Sequence, residues 1–509
     1  MADFSGRKVL IMGLGRHGGG IESAKYLARH GAELTITDVQ DEKTLAPSIE
    51  KLETATESAK IRYVLGKHEM ADFEKADLVI KNPGVRSDSP YLQAARRVET
   101  DISLFLARSP ARLIAVTGSK GKSCTASALY WVLAQVRAPA GAPGMIPAVL
   151  PAEPARSGKA LLPGRAWLGG NITVSPLSFL DRLSADDDVV LELSSWQLGD
   201  LRGRLKDGEE GRGKPLLKPR CAVITAIMPD HQDRYPGMEA YVADKRVIYQ
   251  GQDREDATIA GRDYWGRSFL AESRGRPLSY GAGKPAAGTS GGWLAGPGCG
   301  QEAGFEPETG LFYGGTGQGA VIEVLPAKLQ VPGRHQRINL LAAALALLDL
   351  GLPAESVREG LGSFPGIKHR LEFFYEKRGV RFYNDTAATI PEAAAAAAAA
   401  FKGRGRLLLV AGGSDKELNF EPFIGAAEQA AELFLLEGTG SKKLAVLLKD
   451  RGIPFRGPFD SLDAAVRSLL ELARPSDIAV LSPGCASFGM FDNEFDRGDK
   501  WKEAVKRLA

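Results

Sequence analysis

Leu113-Ile114-Ala115-Val116-Thr117-Gly118-Ser119-Lys120-Gly121-Lys122-Ser123 decides how this chain of 509 residues is read. The apolar run Leu113 to Val116 predicts a buried strand, and the pattern from Thr125 to Leu133 predicts a helix. Strand, glycine turn and helix together make a phosphate cradle, because glycines let backbone N–H groups approach an anion at a helix start. Lys122 adds a full positive charge, and the Ser123 hydroxyl can ligate the magnesium that travels with ATP. The spacing Gly-x-x-Gly-Lys-Ser is shorter than the common P-loop spacing, which points to a special subfamily. A glycine turn entering an ordinary helix is the plain alternative. A lysine and a hydroxyl placed directly after the second glycine favour the nucleotide.

Moving outward, the length predicts two to four domains. A composition of 44% hydrophobic and 25% charged residues is that of globular protein, and a net charge of +3 is too small to imply nucleic acid or a membrane surface as partner. Cys124, Cys221, Cys299 and Cys485 show no CxxC pairing, which argues against a disulfide framework or a zinc site. The first residues lack a signal peptide's apolar core, and no apolar run reaches membrane-spanning length, so a cytoplasmic location is expected.

Upstream, Lys8 to Met12 reads as a strand, followed by Gly13-Leu14-Gly15-Arg16-His17-Gly18, a helix from Ile21 to Arg29, and a strand from Glu33 ending at Asp38. This is a complete Gly-x-Gly-x-x-Gly fingerprint with its acidic residue. Alone it suggests NAD or FAD, yet such glycines grip a diphosphate and do not read a nicotinamide. A strand from Ala76 to Ile80 runs into the turn Lys81-Asn82-Pro83-Gly84, and residues 1–108 read as one α/β domain.

Downstream, residues 109–364 read as a central domain. Ala138 to Ser157 is read as a loop, and Leu168 to Ile172 as a tight turn placing Asn171. Strand Asp188 to Leu193 carries one acid, Glu192, which is costly inside a strand unless paired or bound to metal; an acid facing water is the bland alternative. Strand Cys221 to Ile227 leads to Asp230-His231-Gln232-Asp233-Arg234, a cluster that fits a metal shell or a hydrated loop. Lys245, in a helix from Met238 to Tyr249, reads locally as a solvated lysine. The glycine-rich stretch 251–319, strand-like around Ser279-Tyr280 and Leu311-Tyr313, reads as an irregular peripheral sheet with long loops and without chemistry, and a helix from Ile338 to Leu348 carries Asn339. Residues 365–509 alternate strands and helices as a third, parallel-sheet domain, with turns after Tyr383, Val410 and Leu481.

Thr117 to Ser123, Glu192 to Leu198, Asp230 to Tyr235, Pro332 to His335 with Asn339, His369-Arg370, and Asn384-Asp385 occur in the order seen in Mur ligases, and over nearly the whole chain the sequence resembles that family. The resemblance implies three α/β domains: a Rossmann-like sheet, a P-loop ATPase-like centre and a Rossmann-like C-terminal domain. It implies an ATP-dependent ligase that adds glutamate, D-glutamate in this reading, to UDP-N-acetylmuramoyl-L-alanine through an acyl phosphate, acting as a monomer in peptidoglycan precursor synthesis. Gly15, Arg16 and Asp38, with Asn82 and Gly84, would hold the uridine diphosphate, and Asn171 the UDP-sugar. Gly118, Lys120, Gly121, Lys122 and Ser123 would bind ATP phosphates, and Asn339, Arg370 and Asp385 would position the nucleotide. Ser123, Glu192, His231 and a carbamylated Lys245 would hold two Mg2+ ions, and Lys416 and Ser487 the incoming amino acid. The sequence departs from the family pattern at Thr386-Ala387, Asn493-Glu494-Phe495, Gln336 and Ala226, differences that bear on amino-acid recognition more than on ATP. A ligase for another amino acid, a folylpolyglutamate synthase-like enzyme, an NAD-dependent oxidoreductase and a non-catalytic nucleotide-binding module are the competing readings.

Overall fold

The computed structural model describes residues 4–15, 19–56, 60–137, 150, 162–172, 174–206, 214–231, 234–285, 289–295, 309–313 and 321–509. Arg16, Cys299, Gln232, Asp233 and almost all of the loop expected at Ala138 to Ser157 lie outside them. The architecture is α/β, built on sheets of five, nine and six strands in chain order.

The first sheet is wholly parallel, with Lys8–Met12 at its centre between Glu33–Asp38 and Leu78–Lys81. Val9 to Met12 are all buried, the continuous apolar run of a strand covered on both faces. In the central sheet, Arg112–Thr117 lies between Asp188–Glu192 and Cys221–Ile224, all parallel. The register pairs Val116 with Glu192 and Thr117 with Ile224, so three loops leave one sheet edge side by side. Helices Lys122–Val136 and Arg334–Asp349 are apolar on nearly every face, because they fill one core together.

Three expectations need correction. Leu168 to Gly170 belong to the strand Ala166–Gly170, and the chain turns only at Asn171 and Ile172. Lys81 is the last residue of a strand, not of a turn. The stretch 251–319 is not a separate peripheral sheet: Ala257–Gly261 pairs in parallel with Cys221–Ile224, Arg276–Gly281 pairs with Ala257–Gly261, and Gly291–Ala295 and Thr309–Tyr313 extend that sheet outward. The pieces expected around Ser279-Tyr280 and Leu311-Tyr313 are two of these strands.

The third sheet is parallel except at one edge, where Glu372–Lys377 runs antiparallel to Val380–Asn384. Ile478–Leu481 sits between Val380–Asn384 and Leu407–Gly412, so the order reverses there and the loops after all three strands open on one crevice. The first two units share one hydrophobic cluster, running from Val9 and Phe105 to Trp167 and Val242, whereas the third keeps clusters of its own. Buried Lys81 donates to Asp200 at 2.6 Å across the first seam, and Arg204 reaches Glu99 and the Val98 carbonyl. Among the described residues, no helix is long and apolar enough to cross a membrane.

Candidate active site

The phosphate loop is held in a left-handed shape that only glycine accepts cheaply. Gly118 has φ +147° and Gly121 φ +92°, and a Cβ on either would strike Thr225 Oγ1 or Asn339 Oδ1. Gly121 opens helix Lys122–Val136 without a side-chain cap, leaving N–H groups free for an anion. Ser119 anchors the loop: its N–H donates to the Ala226 carbonyl at 2.8 Å, and its hydroxyl bonds Met228 and Tyr241, each at 2.9 Å. Ala226 serves through its carbonyl, so its departure from the family pattern does not disturb the loop.

Two lysines end on this loop. Lys122 Nζ donates to the Gly118 and Ser119 carbonyls, each at 3.0 Å, and Lys245 Nζ donates to the Gly118 carbonyl at 2.9 Å. Lys245 is 1% exposed, so its local reading as a solvated lysine is wrong. Helix periodicity turns it inward with Tyr241 and Val242. Burial, reinforced by the Lys122 charge, pulls the Lys245 amine down to about 7. Burial also lowers Lys122, while Glu192 and Asp230 oppose the shift. Lys120 stays exposed and faces Asp230 at 3.4 Å.

Glu192 is 1% exposed, which removes the alternative of an acid facing water. Its Oε1 accepts from Asn171 Nδ2 at 2.9 Å, and its Oε2 is buried without a hydrogen-bond partner. A buried carboxylate oxygen left bare costs about 1–3 kcal/mol, a cost that a divalent cation beside the phosphate loop would offset. The bare oxygen, on an acid whose charge acts on Lys122, thus fits a divalent cation. His231 is exposed, with its ring 4.9 Å from Trp196. Among the described residues no group of three His, Cys, Asp or Glu side chains stands ready as a metal shell, so His231 is not assembled with Glu192 into one.

The third unit faces this loop through Arg370, whose charge acts on both Lys122 and Asp385. Asp385 is buried, accepts from Leu371 N and Ser482 Oγ at 3.1 and 2.7 Å, and is pushed up to about 7 by burial. His369 and Leu371 flank Arg370 at φ +68° and +45°, strain of the kind that gathers at functional loops. Asn339 lies against Gly121. Lys416 and Ser487 follow adjacent strands and are brought together by the backbone bridge between Ser414 and Ala486. Lys416 Nζ lies 5.3 Å from the Phe488 ring.

Sequence reasoning missed Arg497. Fully buried, it donates to Thr386 Oγ1, the Thr386 carbonyl and the Cys485 carbonyl at 3.0, 3.0 and 3.1 Å, fixing the loop after Asp385. No local signal marks it, since its partners lie far away in sequence. The inverted Asn493-Glu494-Phe495 places Phe495 on the ring of His369 at 5.3 Å.

In the first unit the glycine turn is closed by its neighbours. Asp38 Oδ2 accepts from Gly15 N at 3.2 Å, Asn82 Nδ2 donates to the Gly13 carbonyl at 3.4 Å, and Asn82 Oδ1 accepts from Gly84 N at 3.0 Å. Gly15, Asp38, Asn82 and Gly84 therefore form one cluster.

The chain matches three family models along its length: the Mur ligase MurD-like N-terminal domain over residues 7–103, the Mur ligase middle domain over 116–347 and the Mur ligase glutamate ligase domain over 369–485. A UDP-N-acetylmuramoylalanine–D-glutamate ligase of Treponema pallidum (strain Nichols) is 38% identical over 98% of this chain and 98% of its own. One of the same name from Borreliella afzelii (strain PKo) is 35% identical over 98% and 97%. The crystal structure of the UDP-N-acetylmuramate-alanine ligase MurC from Thermotoga maritima superposes with a TM-score of 0.54 at 17% identity, over 99% of this chain and 100% of that one, a likeness of fold. With relatives this similar across its whole length, and with a phosphate loop, a buried acid and a facing arginine where the motifs lead, the chain belongs to the Mur ligase family.

Proposed function

We infer that the protein joins D-glutamate to UDP-N-acetylmuramoyl-L-alanine with consumption of ATP and release of ADP and phosphate, a step of peptidoglycan precursor synthesis. The observation that carries this is the full-length similarity to ligases bearing that activity in their names. The domain limits at 108/109 and 364/365 belong to the same proposal, supported by the three separate sheets.

A carboxylate is a poor electrophile, so the alanyl carboxylate first attacks the γ-phosphate of ATP. The P–O bond to ADP breaks and an acyl phosphate forms. The amine of glutamate then attacks the acyl carbon, loses a proton and expels phosphate. Lys122, its amine already beside the Gly118 and Ser119 carbonyls, meets charge as it spreads onto the transferring oxygens. Bound magnesium, held by Ser123 and Glu192, would further reduce the repulsion between two anions. Lys245, brought down to about 7, has a neutral fraction able to take up carbon dioxide, and the resulting carbamate would turn a cation into an oxygen ligand. His231 would join it at a second ion.

Gly15, Asp38, Asn82 and Gly84 would hold the uridine diphosphate, with Arg16 of the same turn, and Asn171 the sugar. Asn339, Arg370 and Asp385 would fix the nucleotide, with Gly118, Lys120 and Gly121 on its phosphates. Lys416 and Ser487 would hold glutamate. Closure of the third unit would exclude water from the acyl phosphate. The protein would work as a monomer in the cytoplasm.

ADP release measured with UDP-N-acetylmuramoyl-L-alanine and D-glutamate, L-glutamate or other amino acids tests the reading. Turnover with D-glutamate is expected; selective turnover with another amino acid, or with a folate acceptor, overturns it.

A further inference from the structure

Arg234 stands at the seam between the first two units, yet the proposed mechanism gives it no task. Its Nη1 and Nη2 donate to the Gly84 and Val85 carbonyls at 3.4 and 3.3 Å. Its guanidinium carbon lies 4.1 Å from the centre of the Trp196 ring, and that ring lies 4.9 Å from His231. Gly84 and Val85 belong to the turn whose Asn82 closes onto the Gly13 carbonyl. One side chain thus touches the turn of the first glycine loop and the aromatic face beside the phosphate site. Other polar ties of this seam include Lys81 with Asp200 and Arg204 with Glu99, which join a strand end and a sheet edge to the helix Ser195–Asp200 and the turn beyond it, and Ser87, whose hydroxyl donates to Asp200 at 3.1 Å but which offers no flat group to stack beside the phosphate site.

We propose that Arg234 is a positioning residue: stacked on Trp196, it holds the turn Asn82–Val85 in fixed register with the ATP site, so that the acceptor's carboxylate arrives opposite the γ-phosphate. This rests on the proposed function in taking that turn to meet the sugar nucleotide. The chemistry favours arginine specifically. A planar guanidinium can lie on an indole while its edge donates to two successive carbonyls, whereas an ammonium offers a point charge and no flat face. Misplacement of a reacting group by about 1 Å can cost about 100-fold in rate, so a clamp of this kind affects turnover without touching substrate.

The test compares wild type, Arg234→Ala, Arg234→Lys, Trp196→Ala and Trp196→Phe. Hydrogen exchange is followed in peptides covering 82–87 and 118–122, and KM is measured for each substrate. In Arg234→Ala, exchange in 82–87 rises while that in 118–122 holds, kcat falls at least about tenfold, and KM for the UDP-sugar rises about tenfold with KM for ATP within about twofold. Trp196→Ala behaves alike, Trp196→Phe, which keeps a ring to stack on, stays near wild type, and Arg234→Lys falls between wild type and Arg234→Ala. Unchanged exchange in 82–87, or an equal rise in both KM values, overturns the assignment. Should the wild-type protein fail to use the UDP-sugar at all, the proposed function falls, and the exchange data alone decide whether Arg234 clamps the turn.

Discussion

The molecule carries two glycine turns that look alike in sequence and differ in how they are completed. In the first, the described polar groups at Gly13 and Gly15 are met by the fold itself: Asp38 takes the Gly15 N–H, Ser48 donates to the Gly15 carbonyl, and Asn82 braces the Gly13 carbonyl. In the second, charge gathers without being neutralised in place. Lys122 and Lys245 both end on loop carbonyls, and Glu192 keeps one buried oxygen bare. The first turn is a preformed shape that a ligand joins; the second is an electrostatic arrangement that is complete only with a phosphate and a cation. Binding energy at the first turn is therefore expected to affect KM, and at the second to affect kcat.

The sharpest way to break this contrast is Lys122→Ala. Loss of a charge that acts on the transferring phosphoryl group is expected to lower kcat about 1,000-fold, read as ADP release at saturating substrates, with the fold intact by circular dichroism. A fall in kcat under about tenfold would place Lys122 on a par with the residues of the first turn. Glu192→Gln is next, with an expected loss of about 100-fold in kcat and a higher magnesium requirement. Removal of a buried bare carboxylate oxygen should leave Tm unchanged or raised, the mark of a residue kept for function at the expense of stability.

The same contrast explains what could be read from the residues alone. Both turns, their strands and the order of the motifs were legible because phosphate binding uses backbone and demands glycine at fixed spacing, as at Gly13, Gly15, Gly118 and Gly121. Glu192 was legible because an acid in an apolar strand needs a reason. Lys245 was not, since its burial depends on which helix face meets the loop some 127 positions earlier in the chain. Arg497 and Lys81 were hidden for the same reason: an ion or guanidinium buried against a distant partner leaves no local pattern. Within 251–319 the strand-like pieces around Ser279-Tyr280 and Leu311-Tyr313 were legible, while Ala257–Gly261 was not, because its place in the sheet is decided by the neighbouring strand Cys221–Ile224 rather than by alternation.

Lys245 offers a smaller and more particular test. Its amine is held at about 7 when folded, below the 10.5 of an unhindered lysine. Between those values the unfolded chain carries the extra proton, so this group makes stability rise with pH above 7, by up to about 1.4 kcal/mol per pH unit. Below 7 both states are protonated and the slope from this group vanishes. Denaturant midpoints at pH 7, 8 and 9 should therefore rise for wild type relative to Lys245→Met. Parallel curves would show that the amine is not held low, and with that the means of forming a carbamate at neutral pH would be lost.

Asp38→Asn probes the first turn with the smallest change. Asp38 accepts from Gly15 N through Oδ2 and from Gln40 N through Oδ1, at 3.2 and 3.0 Å. An asparagine has one acceptor oxygen, so whichever N–H it serves, its NH2 group faces the other donor. Losing one hydrogen bond to a carboxylate costs about 1.5 kcal/mol here, equivalent to about a tenfold change in binding. Because the loss loosens a shape and removes no charge that changes during reaction, it should appear in KM for the UDP-sugar and leave kcat and KM for ATP in place. If kcat falls instead, the first turn takes part in the transition state, and the division between a shape that binds and a charge that reacts does not describe this enzyme.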